Sequence, residues 1–282
     1  MRFSFFILIA LFLPASPCFA QQNSSTYYTG EFGFSAGGSE YFGDLNTNSS
    51  FRAVKPAIGI FYRKFFNDYI GVRAHFHFAQ VGFSDQYSPN EFQRRRNLSF
   101  DSNIWELALL GDFNFFRFEP GSDRYRFTPY LTFGIGGFAF NPYAWYQDQQ
   151  YYLQPLGTEG QGSPRYPGRK PYNLQALCFP IGMGIKYNVN KKINIGLEAV
   201  HRFTTTDYLD DVSTTYAGPA AFPPGANGKQ SISAILQDSS GITGTPIGVA
   251  GAQRGNSQNK DQYIFIELNI SFLFSSYRCP AF

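Results

Sequence analysis

The stretch IFIELNISFLF, residues 264–274, decides the fold. Every second side chain is apolar (Ile264, Ile266, Leu268, Ile270, Phe272, Phe274), and between them stand Phe265, Glu267, Asn269, Ser271 and Leu273, a mixed and mostly polar face. An extended chain turns successive side chains to opposite sides, so period two reads as a strand with one greasy face, where a helix would need period 3.6. Its length matches the roughly 9 to 11 residues with which a tilted strand crosses a bilayer.

The pattern recurs seven more times. Residues 28–36 set Tyr28, Phe32 and Phe34 against Thr29, Glu31 and Ser35, and 56–63 is the weakest segment. Residues 69–81 carry Ile70, Val72, Ala74, Phe76 and Phe78 on one face and Gly71, Arg73, His75 and His77 on the other. Residues 104–115 alternate Trp105, Leu107, Leu109 and Phe113 with Glu106, Ala108, Asp112 and Asn114; 127–140 is the fifth segment. Residues 177–187 set Leu177, Phe179, Ile181, Met183 and Ile185 against Cys178, Gly182, Gly184 and Lys186. In 193–203, Ile193, Ile195, Leu197 and Ala199 face away from Asn194, Gly196, Glu198 and Arg202.

The connections alternate between short (66–68, 117–126, 188–192) and long (37–55, 82–103, 141–176, 204–261). An eight-stranded antiparallel transmembrane β-barrel has this layout, with short periplasmic turns, long extracellular loops and both termini on the periplasmic side. A soluble sandwich or lipocalin-like barrel also alternates but buries its apolar face. Here Phe65, Phe66, Tyr69, Phe115, Phe116 and Tyr187 gather at strand ends, as in an interfacial aromatic girdle.

Composition agrees. Phe 32, Tyr 19 and Gly 28 are high counts and charged residues are only 15%, which favours strands over helices. A net charge of +3 gives no basic field for nucleic acid. Residues 1–20 read as a cleaved signal peptide, with Arg2, an apolar run over 3–13 and Cys18-Phe19-Ala20 at the cleavage site, so residues 21–282 form the barrel domain. Pro17 before Cys18 speaks against an acylated lipoprotein cysteine. No apolar run after Ala20 is long enough for a spanning helix. Cleavage leaves Cys178 and Cys279, placed near opposite ends of the barrel and not expected to pair.

An eight-stranded barrel has room for little beyond its own inward side chains. The inward charges must therefore pair, and a hairpin centred near residue 92 matches Arg73 and His77 with Asp112 and Glu106. The three histidines (His75, His77, His201) form no Ser–His–acid constellation at a mouth, so no enzyme is expected. Gly134 with Gly136 and Gly182 with Gly184 are strand glycines, since neither pair lies between a strand and a helix. Arg94-Arg95-Arg96 reads as a solvated loop run. Asp207, Asp210 and Asp211 lack the spacing of a calcium loop, and no metal, cofactor or small-molecule substrate is identified. Residues 204–261, rich in Gly, Ser, Ala and Pro, read as a partly mobile external loop.

Several stretches resemble the outer-membrane barrel family of Bacteroidota that includes PorG, a component of the type IX secretion system. They are EFGFSAGGSEYFGDLN (31–46), PYLTFGIGG (129–137), GMGIKYNVNKKINIGLEAVHRF (182–203), TDYLDDVS (206–213) and the tail CPAF (279–282). The resemblance implies an integral outer-membrane anchor or scaffold joined to a periplasmic ring of PorK and PorN type. The alternative is a surface recognition barrel whose long loops bind an external ligand or neighbour. The two most family-like motifs supply Tyr41, Phe42, Gly43 and Asp44 from the first, and Asp207, Tyr208, Asp210 and Asp211 from the second. With strand one closing on strand eight, they are expected to meet at the external mouth.

Overall fold

The computed structural model describes residues 26–225 and 228–277. The signal segment 1–20, Cys279 and the tail 279–282 lie outside the described residues. Among the described residues there are ten strands. Eight build the wall: β1 (Thr26–Phe42), β2 (Lys55–Phe65), β3 (Ile70–Ser84), β4 (Ser99–Asn114), β5 (Phe127–Ala139), β8 (Gln175–Asn190), β9 (Ile193–Thr204) and β10 (Gln262–Tyr277). The other two, β6 (Pro142–Tyr146) and β7 (Gln149–Tyr152), form a hairpin hung on the upper end of β4. The wall runs β3-β2-β1-β10-β9-β8-β5-β4, every neighbour antiparallel, and β4 pairs back onto β3. The sheet is therefore a closed eight-stranded barrel with no free edge, the arrangement that satisfies backbone groups inside lipid.

Its surface is inside out. Leu107 is 63% exposed, Met183 64% and Leu268 65%, while Arg73, His77, Glu106 and Glu198 point inward and are at most 2% exposed. Water would have reversed this pattern, so the barrel spans a membrane. Phe66, Tyr69, Phe115, Phe116 and Tyr187 stand exposed at the turn end, where an aromatic girdle belongs. Among the described residues no helix is long and apolar enough to cross a membrane.

The turns are local chemistry. Asn67 Oδ1 accepts from Tyr69 N and Ile70 N, both at 2.8 Å, and Asn190 Oδ1 accepts from Lys192 N (2.8 Å) and Ile193 N (2.9 Å). Each side chain thus does the work of a backbone turn bond. At the other end the strands overshoot the bilayer: β1, β4 and β10 have 17, 16 and 16 residues, and the excess carries the loops.

Two expectations about those loops are corrected. Residues 205–261 are not a loose loop: the described part holds α2 (Ile232–Gln237) and α3 (Ser240–Thr243) and buries Leu209, Val212, Tyr216 and Leu236. In Arg94-Arg95-Arg96, Arg94 and Arg95 are exposed as expected, but the run closes α1 (Glu91–Arg96) and Arg96 turns inward to meet Asp85 with two contacts of 2.7 Å. The apolar core lies at this loop end, where Tyr41, Phe100, Phe138, Tyr263 and Phe265 fill the upper barrel and Leu45, Leu209, Val212 and Leu236 continue it into the cap. Glycine and serine content concealed a folded cap because its apolar anchors are few and widely spaced.

Candidate functional site

Two groups of residues stand out, one inside the wall and one above it. The lower tier of the lumen balances three carboxylates against three cations. Arg63 Nε donates to Asp112 Oδ2 (2.5 Å) and its Nη1 to Glu31; Arg73 Nη1 donates to Glu198 Oε2 (2.8 Å) and its Nη2 lies 3.6 Å from Asp112; Lys186 sits over the Phe118 ring at 4.8 Å. Asn194 and Ser271 donate to Glu31 Oε2 at 2.5 and 2.8 Å, and Tyr130 Oη to Glu198 Oε2 at 2.6 Å. In a narrow interior such pairs replace water, and their value lies in leaving no charge uncompensated.

Of the residues singled out in sequence, the β3–β4 register sets His77 opposite Glu106, with Nδ1 to Oε1 at 3.4 Å. Arg73 stands opposite Leu110, and Asp112 opposite Gly71. Arg73 therefore reaches Asp112 only diagonally, and its shortest ion-pair contact is with Glu198, from the far side of the barrel. Likewise His77 Nε2 lies 3.0 Å from Glu267 on β10, and Glu106 accepts from Tyr263 Oη at 2.6 Å. Pairing along a hairpin misses these partners. The inward parity of Glu198, Arg202 and Glu267 was visible in sequence, but their partners depend on how the barrel closes.

Above the wall the two mouth motifs come together. Tyr41 Oη lies 2.5 Å from Asp210 Oδ2 and 2.9 Å from Asp261 Oδ1. A phenol has one proton to give, so the second contact needs a proton on a carboxyl. Burial, with the charge of neighbouring carboxylates, pushes Asp210 and Asp261 well above the ordinary range, so either carboxyl is suited to supply it. Gly43 is required here, because a Cβ would stand 2.0 Å from Tyr41 Oη and 2.1 Å from Asp261 Oδ1. Phe42 stacks on His201 at 5.6 Å. Asp44 Oδ2 accepts from Asn256 N (2.7 Å), and its own carboxyl is raised by burial.

The second motif is gathered by residues from other loops. Asp207 accepts from Ser213 Oγ (2.6 Å) and burial pushes it up to about 7. Tyr208 stacks on Tyr172 at 4.5 Å. Asp211 accepts from Tyr172 Oη (2.7 Å) and Thr158 Oγ1, and burial outweighs Arg254 to hold it at about 6. Arg254 and Glu159 form the hub, 3.2 Å apart, with Glu159 accepting from Ser213 N (2.9 Å) and Thr214 Oγ1 (2.5 Å). Sequence gave no signal for Glu159, Arg254 or Asp261, each isolated in a polar loop. Beside this network a cleft of about 390 Å³ is lined by Leu45, Leu98, Trp145, Leu236, Asp210 and Arg254.

With this geometry in hand, a family model described as a domain of unknown function (DUF6089) matches residues 7–217, which hold β1 to β9 and the second mouth motif. The chain belongs to the DUF6089 family. Solved structures similar to this family member include the N-terminal β-barrel domain of Pseudomonas aeruginosa OprF (12% identity, 88% of this chain and 100% of that one, TM-score 0.37). Neisserial surface protein A is similar at 8% identity, over 89% and 98% of the two chains, with a TM-score of 0.42. Ail, the attachment invasion locus protein of Yersinia pestis, is similar at 10% identity, over 88% and 99%, with a TM-score of 0.40. A likeness at this level carries no function across. No match was found among curated proteins.

Proposed function

We propose that this chain is a non-enzymatic barrel of the outer membrane that presents a rigid external cap to a neighbour or ligand. The observation that carries this reading is the folding of the long loops into one buried network above the mouth, anchored by Tyr41, Glu159, Arg254 and Asp261. A fixed surface loses little entropy on binding. Among the described residues the turn end, in contrast, offers short connections at 66–69, 115–126 and 191–192. The inside-out surface and the signal segment support the outer membrane, with the loop end outward. Packing of the lumen supports a scaffold over a conduit: a gap beside Arg63 and Lys186 has a volume of about 10 Å³, room for about one water.

The resemblance to the PorG-containing family supports a second reading, an anchor for a periplasmic PorK/PorN-type ring in type IX secretion. Against it, the mouth motifs are buried against each other (Tyr41 0%, Asp211 0%), so what the chain shares with that family there serves closure of the mouth. A photocrosslinking residue at exposed Trp145 in the cap, compared with one at Arg124 in a turn, separates the two. Adducts from Trp145 in intact cells are expected. Adducts only from Arg124, to a periplasmic ring protein, would establish the anchor and remove the cap from the account.

A further inference from the structure

Counting arginine and lysine alone, the upper tier of the lumen is one cation short. Glu106 and Glu267 are both buried there, and Arg202, 3.4 Å from Glu106, is the guanidinium beside them. Two histidines occupy the gap. His75 and His77, two positions apart on β3 and both 0% exposed, hold their ring centroids 3.7 Å apart. Ser35 Oγ bridges His75 Nε2 (3.2 Å) and Glu267 Oε1 (3.1 Å), and His77 Nε2 lies 3.0 Å from Glu267 Oε2. Nδ1 of each ring has no hydrogen-bond partner, although that of His77 is 3.4 Å from Glu106 Oε1. Orphaned polar atoms in a dry interior are costly.

One donor atom from each of His75, His77 and Glu267 lies within 4.8 Å of the others. Donors about 2.1 Å from a tetrahedral zinc ion stand about 3.4 Å apart, so modest side-chain rotations would close the set. Gly59 supplies the room: a Cβ there would meet His75 Nε2 and His77 Cδ2 at 2.8 Å and Ser35 Oγ at 2.7 Å. We infer that His75, His77 and Glu267 form a binding site inside the barrel for a divalent transition-metal ion of the zinc class. Two imidazoles and a carboxylate suit zinc and its neighbours better than calcium or magnesium, whose shells are all oxygen. Ser35, which bridges His75 and Glu267, is within reach as a further partner. The ion offsets the surplus carboxylate and ties β3 to β10 across the lumen. Because the core packs above the site and the salt-bridged tier lies below it, the ion is captured as the barrel folds.

The experiment measures bound metal by elemental analysis after chelator washing, on the full mature chain purified from membranes and on the same chain refolded in detergent with zinc chloride. About one equivalent per barrel is expected, with an X-ray absorption spectrum showing two imidazole ligands. His75→Gln/His77→Gln should keep the gel mobility of a folded barrel and lose binding by at least ~10-fold, while His201→Gln keeps it. Metal below about a tenth of an equivalent in both wild-type preparations, or undiminished binding in the folded double variant, overturns the site and leaves a protonated histidine as the balancing charge. Should the double variant fail to fold, the wild-type spectrum decides, and absence of imidazole scattering overturns the inference.

Discussion

At the scale of single residues, the inside and outside of the wall obey opposite rules. Leu107 is 63% exposed on the outward face and mid-strand on β4, so Leu107→Arg should destabilise the folded barrel by about 2 to 4 kcal/mol, read as a lower urea midpoint. The same charge at exposed Gln150 in the β6–β7 hairpin should leave the midpoint unchanged. Equal effects would mean that the faces are assigned the wrong way round. Inside, Arg73→Met strands Glu198, which is 2% exposed and whose guanidinium partner is 2.8 Å away. A loss of about 3 to 5 kcal/mol is expected, and Arg73→Met/Glu198→Leu should recover most of it, since an ion pair replaced whole by apolar groups costs little. Apart from Arg63, whose segment is the weakest in pattern, which charges face inward was legible from parity. Which carboxylate each cation meets was not, because Arg73 and Glu198 are 125 positions apart and touch only across the closed lumen.

At the scale of elements, the cap buries carboxyl groups whose hold on a proton is strengthened by that burial. Asp207 and Asp211 are raised to about 7 and about 6, and Asp44, Asp210 and Asp261 are also raised. Below the usual Asp range, about 4, these groups carry protons whether the cap is closed or open. As pH rises from about 4 towards 7 the open form gives up protons that the closed form keeps, so closure weakens over that window. Limited proteolysis of residues 205–261 should therefore be slower at pH 5 than at pH 8, with the wall uncut at both. An unchanged ratio of cutting rates would show that these carboxyl groups do not hold protons more tightly in the closed cap. Tyr41→Phe removes the phenol that bridges both carboxyls and should open the cap at pH 8 without changing the barrel's gel mobility. The strands that carry this cap were readable from period two, whereas the β6–β7 hairpin was not. Its turn residues Gln147 and Asp148 both adopt positive φ (51° and 60°), which Asn-Gly would have announced and Gln-Asp does not.

At the scale of the whole molecule, closure of β4 onto β3 removes every wall edge and makes unfolding cooperative. The mature chain should run at an anomalous position on unboiled gels and shift on boiling; recovery as a soluble periplasmic protein would defeat the membrane assignment. Its paired lumen and folded cap should also give no steady conductance in planar bilayers, and stable unitary currents would show that the lumen is open. The sequence by itself determined the period, the number of wall strands and the alternation of short and long connections, because each is a local property of an extended chain in contact with lipid on one side. Tertiary structure alone decided which inward groups meet, that residues 205–261 form a lid, and that His75, His77 and Glu267 converge. Those contacts join positions far apart in the chain, and their geometry is set by the stagger of eight strands closed into a ring, which no single segment encodes.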